Sequence, residues 1–369
     1  MKKNVYAFVL ITVAFLFLVG NYSSAQQTKQ VPQPSQLLSS IRKGIAKTKP
    51  LTSARTLSCS YDSLVFTRQS QIDSFPITNP GCTVLRELKI YGEGASPAIT
   101  NLDSLYAITE ITGFFEVDHT SLTDLSGLSG LQRTAWLWLG NNPLMADIWL
   151  PNATHIGSVL LNELPSFNSF AGFTQSLTTS RLGYLWLFNN VAVTNFAGLE
   201  SLDSIDNFAV FGVQTLQTLQ GLQNLTSCYD IGLHSCNSLT DISALSGVSE
   251  LPYGSLKVNY NGSLTSWNGL HNITRIGRIL EVMGSPFTSL NGLNPNLVIE
   301  NGNNAEDTVR IEWNFQLAAC SFAPLCQYLD RSDAAIIQGN AAGCDDILTV
   351  KTACGTGTSC TTRPMVTWN

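Results

Sequence analysis

The sequence predicts an all-β fold, a solenoid of about nine stacked coils whose strands lie side by side in a parallel sheet. Three observations carry the prediction. One seven-residue motif returns at steps of 22 to 26 residues. A short strand pattern precedes each copy. Cysteines gather near both ends of the repeated region, where an open solenoid needs caps.

The chain has 369 residues and begins "MKKNVYAFVLITVAFLFLVGNYSSAQQ". Two lysines, an apolar run and the small-residue site "SSA" are the design of a secretory signal peptide, with cleavage after Ala25. No later apolar run reaches the ~20 residues of a membrane-spanning helix. Export is therefore expected, with no transmembrane segment in the mature chain.

Charged residues make up only 12% of the chain and the formal charge is −6. Loss of Lys2 and Lys3 with the signal peptide takes the charge to −8. Residues 26–58 form a basic polar linker. Its cations Lys29, Arg42, Lys43, Lys47, Lys49 and Arg55 are accompanied by no acid up to Thr56, which leaves the rest of the protein near −14. A body of that sign excludes nucleic acid as the expected partner. The linker reads as a solvated tether or as a contact for an anionic surface.

Residues 59–84 are read as an N-terminal cap, closed by Cys59 and Cys82. The repeats follow over 85–315. "LTDLSGL" (122–128), "FNSFAGF" (167–173), "VTNFAGL" (193–199), "LQTLQGL" (216–222), "LTDISAL" (239–245), "LTSWNGL" (264–270) and "FTSLNGL" (287–293) are one motif, and "ITNLDSL" (99–105) and "LMADIWL" (144–150) are weaker copies. Its small residue suits a tight corner where a Cβ would crowd the adjacent coil. Asn at the strand ends, as at Asn189 and Asn190, suits hydrogen bonding to the turn backbone.

Strand signals such as "FFEV", "WLWL", "YLWL", "FAVF" and "ILEV" stand ten or eleven residues before each small position. Side chains alternate across a strand. The inward pairs are expected to run from Phe115/Val117 and Leu137/Leu139 through Leu185/Leu187 and Ala209/Phe211 to Leu280/Val282 and Val309/Ile311. Each large side chain so buried contributes roughly 1.5–3 kcal/mol.

"LWLGNNPL" and "LWLFNN" resemble leucine-rich repeats. The wider pattern, nearly whole in "LTSWNGLHNITRIGRILEVMGSPFTSLNGL" (264–293), resembles the receptor L domain more closely. That resemblance implies a right-handed parallel β-helix, as in the ligand-binding lobes of the insulin and epidermal growth factor receptors. No kinase region accompanies it, so the receptor role is not implied. The segment 316–354, with "CSFAPLCQYL" and "IIQGNAAGCDDILTVKTAC", resembles the disulfide-bearing cap of secreted bacterial proteins with these repeats. The resemblance implies a secreted, periplasmic or surface location in a Gram-negative bacterium. Residues 355–369 are a tail.

Nine cysteines in an exported chain favour disulfides. The expected bridges are Cys59–Cys82, Cys228–Cys236 and a set within Cys320, Cys326, Cys344 and Cys354. For that set Cys320–Cys344 with Cys326–Cys354 is expected, one of the three connectivities four cysteines allow. Cys360 is left over. No C-x-x-C occurs, so no metal site is expected.

Catalytic signatures are missing. His119, His155, His234 and His271 stand outside H-E-x-x-H, no G-x-S-x-G occurs, and "YGEGAS" does not make a dinucleotide loop. His119 beside Asp118 reads as a solvated turn, His234 as an exposed histidine in a disulfide-closed turn, and Asp124 and Asp241 as corner hydrogen-bonders. Lys257, Glu281, Arg310 and Glu312 are the only candidate catalytic set, and an exposed ion-pair ladder is their simpler reading. No catalytic residue, metal or cofactor is expected.

Aromatic residues on the opposite strand face are the remaining signal. Trp136, Trp138, Leu160, Tyr184, Trp186, Phe188, Phe208 and Val210 are expected to form one outward patch. Flat rings suit sugar rings or apolar protein surfaces. Leu37, Leu38, Ile41 and Ile45 in "SQLLSSIRKGIAK" have helical spacing and offer an internal cover instead; packing or dimerisation is a third role. The chain thus reads as an exported, non-catalytic binding or adhesion protein for a glycan or protein ligand. A carbohydrate-active β-helix enzyme, lyase or hydrolase, and a purely structural surface protein are the alternatives. The oligomeric state is left open.

Overall fold

The computed structural model describes Cys59 and residues 62–173, 177–189, 191–300, 309–332 and 334–355. The signal peptide, the basic linker, Asn190 and Cys360 lie outside these residues. The described strands are β1 (Ser63–Phe66), β2 (Val84–Leu85), β3 (Glu87–Tyr91), β4 (Glu110–Asp118), β5 (Arg133–Gly140), β6 (His155–Ile156), β7 (Val159–Asn162), β8 (Arg181–Phe188), β9 (Ser204–Phe211), β10 (Ser227–His234), β11 (Leu256–Asn259), β12 (Arg275–Ile276), β13 (Leu280–Met283), β14 (Val298–Ile299), β15 (Val309–Glu312) and β16 (Ala335–Gln338). Fourteen of them join in one sheet, ordered β1-β3-β4-β5-β7-β8-β9-β10-β11-β13-β15-β16, with β2 beside β4 and β6 beside β5. Every named pair in it is parallel. β12 and β14 make a second, two-stranded parallel sheet.

Helix is scarce among the described residues. α1 (Gln69–Asp73) and α2 (Phe75–Thr78) follow β1, while α3 (Ala323–Arg331) and α4 (Ile347–Ala353) flank β16. The segments expected to cap the repeats also extend the sheet. β1 pairs with β3 at one edge and β16 with β15 at the other.

Strand register explains the core. Leu88, Phe115, Leu137, Val159, Leu185, Phe208, Ile231, Leu256, Leu280 and Val309 form one aligned row, and each is at most 1% exposed. The motif supplies the other wall through an apolar residue at every third position. Leu216, Leu219, Leu222 and Leu225, for example, are all fully buried.

One strand departs from expectation. On β9 it is Phe208 and Val210 that face the core, aligned with Leu185 and Leu187, while Ala209 and Phe211 face outward opposite Trp186 and Phe188. The segment "NFAVF" alternates equally well in either phase. Parallel pairing with β8 and β10 selects the phase that places Phe208 between Leu185 and Ile231.

Two devices turn the chain at the strand ends. His119, Asn141, Glu163, Asn189, Gly212, Ser235, Tyr260, Gly284, Trp313 and Gly339 each stand just past a strand with φ between 41° and 67°. Next comes a buried asparagine clamp. Asn142 donates to the Val117 carbonyl (3.0 Å) and accepts from Thr120 N (2.9 Å). Asn261 does the same with Leu233 and Cys236, Asn314 with Val282 and Ser285, and Asn340 with Ile311 and Asn314. Each clamp ties one repeat to the preceding one.

The small motif residue matches its expected role. Gly221 (φ 107°) and Gly269 (φ 108°) adopt a backbone that L side chains avoid, and a Cβ there would strike the Phe196 and Ile242 carbonyl oxygens of the preceding repeat. Asp124 and Asp241 cap corners as expected, accepting from Ser126 N and Ser243 N at 2.8 Å.

The disulfides are Cys59–Cys82, Cys320–Cys344 and Cys326–Cys354, with Cα separations of 4.4, 5.4 and 5.5 Å. The expected Cys228–Cys236 bridge is not made; both are free and buried. Most of β10 lies between them. At ~3.3 Å per residue that strand holds them roughly 20 Å or more apart, beyond the ~7 Å reach of a disulfide. Burial pushes both thiols up, Cys236 to about 12.

Two outcomes follow. Gly221→Ala should cost at least ~2 kcal/mol, from left-handed strain plus overpacking, and lower the melting temperature by several degrees. A melting temperature equal to the parent's would contradict the corner geometry. Thiol titration of the native protein should leave Cys228 and Cys236 unmodified at pH 8. Denaturant without reductant should then release both, and rapid labelling of either in the native state would show that the core is open.

Candidate binding face

The outward side of the large sheet carries a second apolar cluster, separate from the core. Phe114, Trp138, Leu160, Trp186, Phe188 and Ala209 form it, with Trp136, Tyr184 and Phe211 packed against it and half-buried. The register lines up Trp138, Leu160, Trp186 and Ala209 on consecutive strands. Six of the eight sequence-predicted residues therefore meet on this face. Phe208 and Val210 do not, because both lie in the core. Phe114 and Phe211 take part unanticipated. Phe114 was legible as the residue two before Glu116 on the same strand side, and Phe211 was hidden by the β9 phase.

The rings form a continuous chain. Phe114 stacks on Trp136 (5.7 Å between centroids), Trp136 tilts against Tyr184 (5.0 Å), and Tyr184 meets Trp186 edge-on (5.2 Å). Trp186 meets Phe188 edge-on (6.0 Å), Phe188 stacks on Phe211 (5.0 Å), and Phe211 stacks on His234 (4.6 Å). Trp136 and Tyr184 approach across β7 because the short Ser158 stands between them, its hydroxyl accepting from Tyr184 N (3.2 Å). Aromatic pairs of this kind add about 0.5–1.5 kcal/mol each beyond area burial.

His234 begins a polar continuation of the face. Its Nδ1 lies 3.3 Å from Asn259 Nδ2, which donates to Glu281 Oε1 at 2.5 Å. Arg310 stands 3.9 Å from Glu281 and 2.8 Å from Glu312, and Gln338 donates to Glu312 at 2.7 Å. Lys257, Glu281 and Glu312 are only 2%, 2% and 0% exposed. These residues are thus a buried ion network and not the expected exposed ladder. His234 is likewise buried against Phe211, not exposed in a disulfide-closed turn. Upstream, Asp230 accepts from Asn207 (3.0 Å) and Ser255 N (2.8 Å). His119 keeps the solvated position expected of it, 3.1 Å from Asp118 with 43% of its side chain exposed.

Burial governs the electrostatics here. It lowers the Lys257 ammonium pKa, against the pull of Glu281 and Asp230. It raises the Asp230 carboxyl pKa and that of the Tyr184 phenol. It depresses the His234 imidazole to about 3, with Lys257 adding to the effect. A pKa lowered by desolvation identifies a group kept neutral where water does not reach.

The sequence left open whether the aromatic face is open or covered. Trp138, Leu160, Trp186 and Phe188 are 3%, 2%, 1% and 4% exposed. Trp136, Tyr184 and Phe211 remain half-buried, so they are what the described face offers to a ligand. The face is mainly apolar and aromatic at β4–β9, where Glu116 stands opposite Trp138 and accepts from the Tyr91 hydroxyl (2.8 Å), and ionic at β10–β15. Among the described residues no group of His, Cys, Asp and Glu is placed to hold a metal ion, and no helix is long and apolar enough to cross a membrane. No protein-family model, curated protein or solved structure matches the chain.

The His234 environment predicts a pH response. The unfolded histidine takes up its proton near 6.5 and the folded one only near 3. The unfolded state therefore binds more protons between those values, and stability contributed by neutral His234 is lost as pH falls through that window. The slope approaches ~1.4 kcal/mol per pH unit at its steepest. His234→Phe keeps the stack on Phe211 and removes the titration. The gap in melting temperature between pH 7 and pH 4.5 should then narrow, and an unchanged gap would show that His234 is not the group responsible.

Proposed function

We propose that the chain is an exported, non-catalytic binding protein, built as a right-handed parallel β-helix of about nine coils that presents one sheet face to a ligand. The observation that carries this reading is the outward chain of aromatic rings from Phe114 to Phe211, kept apart from the core. Folding does not require seven large rings on the solvent side of a sheet that already has a continuous core within. Contiguous apolar surface of that kind marks a contact with another molecule or segment. Three disulfides fit folding in an oxidising compartment, where an exported protein meets its ligand. A protein surface with apolar side chains, or the apolar face of a sugar ring, is the matching ligand chemistry.

A carbohydrate-active enzyme on the same scaffold is less well supported. Hydrolysis or elimination needs a carboxylate or base free to reach the substrate. On this face Glu281 and Glu312 are engaged by Arg310, and Asp230 by Asn207 and Ser255.

The test is an array of glycans and proteins probed with residues 26–369, followed by binding of alanine variants of the protein to any ligand found. Trp136→Ala and Tyr184→Ala should weaken binding at least tenfold, as central aromatic anchors do (~2 kcal/mol or more), while costing about 1–3 kcal/mol of stability for the two ring contacts each loses. Trp138→Ala and Trp186→Ala, whose rings are buried, should instead lower stability by about 3–5 kcal/mol. Full binding by both Trp136→Ala and Tyr184→Ala would sink the assignment of the site to this face.

A further inference from the structure

Eight of the ten left-handed residues just past the strands are glycine or carry a polar side chain. The other two are Tyr260 (φ 56°) and Trp313 (φ 61°). A large ring is out of place there, because the left-handed region suits glycine and asparagine and strains bulkier residues. Strain of this kind gathers where a site makes use of it. The two residues follow β11 and β15, which are separated in the sheet by β13 alone.

Neighbouring glycines show how the rings lie. A Cβ added to Gly284 would strike the Tyr260 ring, and one added to Gly339 would strike the six-membered ring of the Trp313 indole. Each ring is therefore laid over the glycine that follows the next strand. Trp313 keeps 40% of its surface exposed and Phe315 keeps 77%, while Tyr260 is half-buried. Asn314, between the two exposed rings, fixes their backbone. It accepts from Ser285 N (2.9 Å), donates to the Val282 carbonyl (2.9 Å) and donates twice to Asn340 Oδ1, from its backbone N–H and its side chain, at 3.0 Å. A ring seated on backbone and held from beneath loses little freedom when a ligand stacks on it.

We propose that Trp313, Phe315 and Tyr260 form a binding site for a neutral oligosaccharide chain. The site lies at the strand-end corner of the fold and goes beyond the sheet-face reading, on which it does not depend. Three features select a sugar. First, an exposed flat ring fits the apolar C–H face of a pyranose. Second, Tyr260 and Trp313 stand two strand spacings apart, ~9.6 Å, a span that two linked sugar rings cover. Third, the edge is free of charge. No residue of the corner turns 212–216, 235–239, 260–264, 284–288, 313–317 and 339–343 is ionic.

Exposed amides run along the same edge toward the rings. Gln214 donates to the Ser235 carbonyl (2.6 Å), and Asn237 donates to Gln214 Oε1 (3.1 Å) and accepts from Gly262 N (3.1 Å), two residues past Tyr260. Side-chain amides both donate and accept, which suits hydroxyl groups. An uncharged edge offers no counter-ion to an acidic or basic ligand. Stacking would supply the affinity and the amides would orient the chain.

Affinity electrophoresis of residues 26–369 through gels carrying glucomannan, hydroxyethylcellulose, laminarin or soluble starch tests the proposal. Retardation by at least one of these neutral polysaccharides is expected, and retardation by none overturns the site. Trp313→Asn removes the ring and substitutes a residue that tolerates positive φ. It should weaken the interaction about tenfold or more, the loss of one stacked ring, while the melting temperature stays equal or rises. Retardation equal to the parent's overturns the site. So does a melting temperature several degrees lower, which would make the ring a packing element. Trp136→Ala and Tyr184→Ala leave the corner intact and should be retarded like the parent. Loss of retardation in those variants, with full retardation of Trp313→Asn, assigns the sugar to the sheet face and sinks this site alone. Loss at Trp313 alone supports the corner site whatever the sheet face binds.

Discussion

Parallel hydrogen-bonding register between successive strands is the constraint on which the rest depends. Once β8 pairs with β7 and β9 residue against residue, every side chain of one repeat sits above its counterpart in the next. Inner rows become a continuous core and outer rows a continuous face. The same register forces backbones together at the corners. That is why Gly221 and Gly269 leave no space for a Cβ, and why asparagine clamps such as Asn142 and Asn261 span one repeat to the next. No single repeat has a complete set of these contacts, so stability is shared between neighbours.

Charge burial shows the strength of that shared packing. Lys257, Glu281 and Glu312 lie in a setting where an unpaired ion would cost several kcal/mol. They persist there because the register brings Arg310 beside both acids and Asn259 onto Glu281. A network of this sort contributes less to net stability than an apolar one of equal volume. The aromatic half follows the same logic. Its rings satisfy one another by stacking and edge-on contacts along the row.

The two sheet edges face an opposite problem, since an unpaired strand edge invites association. Here β1 and β16 terminate the sheet in segments stapled by disulfides, with Cys59–Cys82 beside β1 and Cys320–Cys344 around β16. Short helices pack at both ends. The free thiols Cys228 and Cys236 belong to a different category. They occupy core positions within the repeat, where they act as small apolar side chains.

The sequence by itself determined the spacing of the repeats, the strand positions, the corner glycines, the Cys59–Cys82 bridge, the cysteines of the C-terminal pair of bridges and most of the outward aromatic row. These are local or periodic properties, and a period is visible without coordinates. Only the tertiary structure decided the phase of "NFAVF", because alternation over five residues with apolar groups in both phases carries no preference until neighbouring strands supply one. Only the structure separated Cys228 from Cys236, since nearness in sequence becomes distance once a strand runs between them. Burial of Trp138, Trp186, Lys257 and Glu312 was equally invisible. Strand alternation says which side of a sheet a residue takes, and how completely it is buried there depends on neighbours remote in sequence.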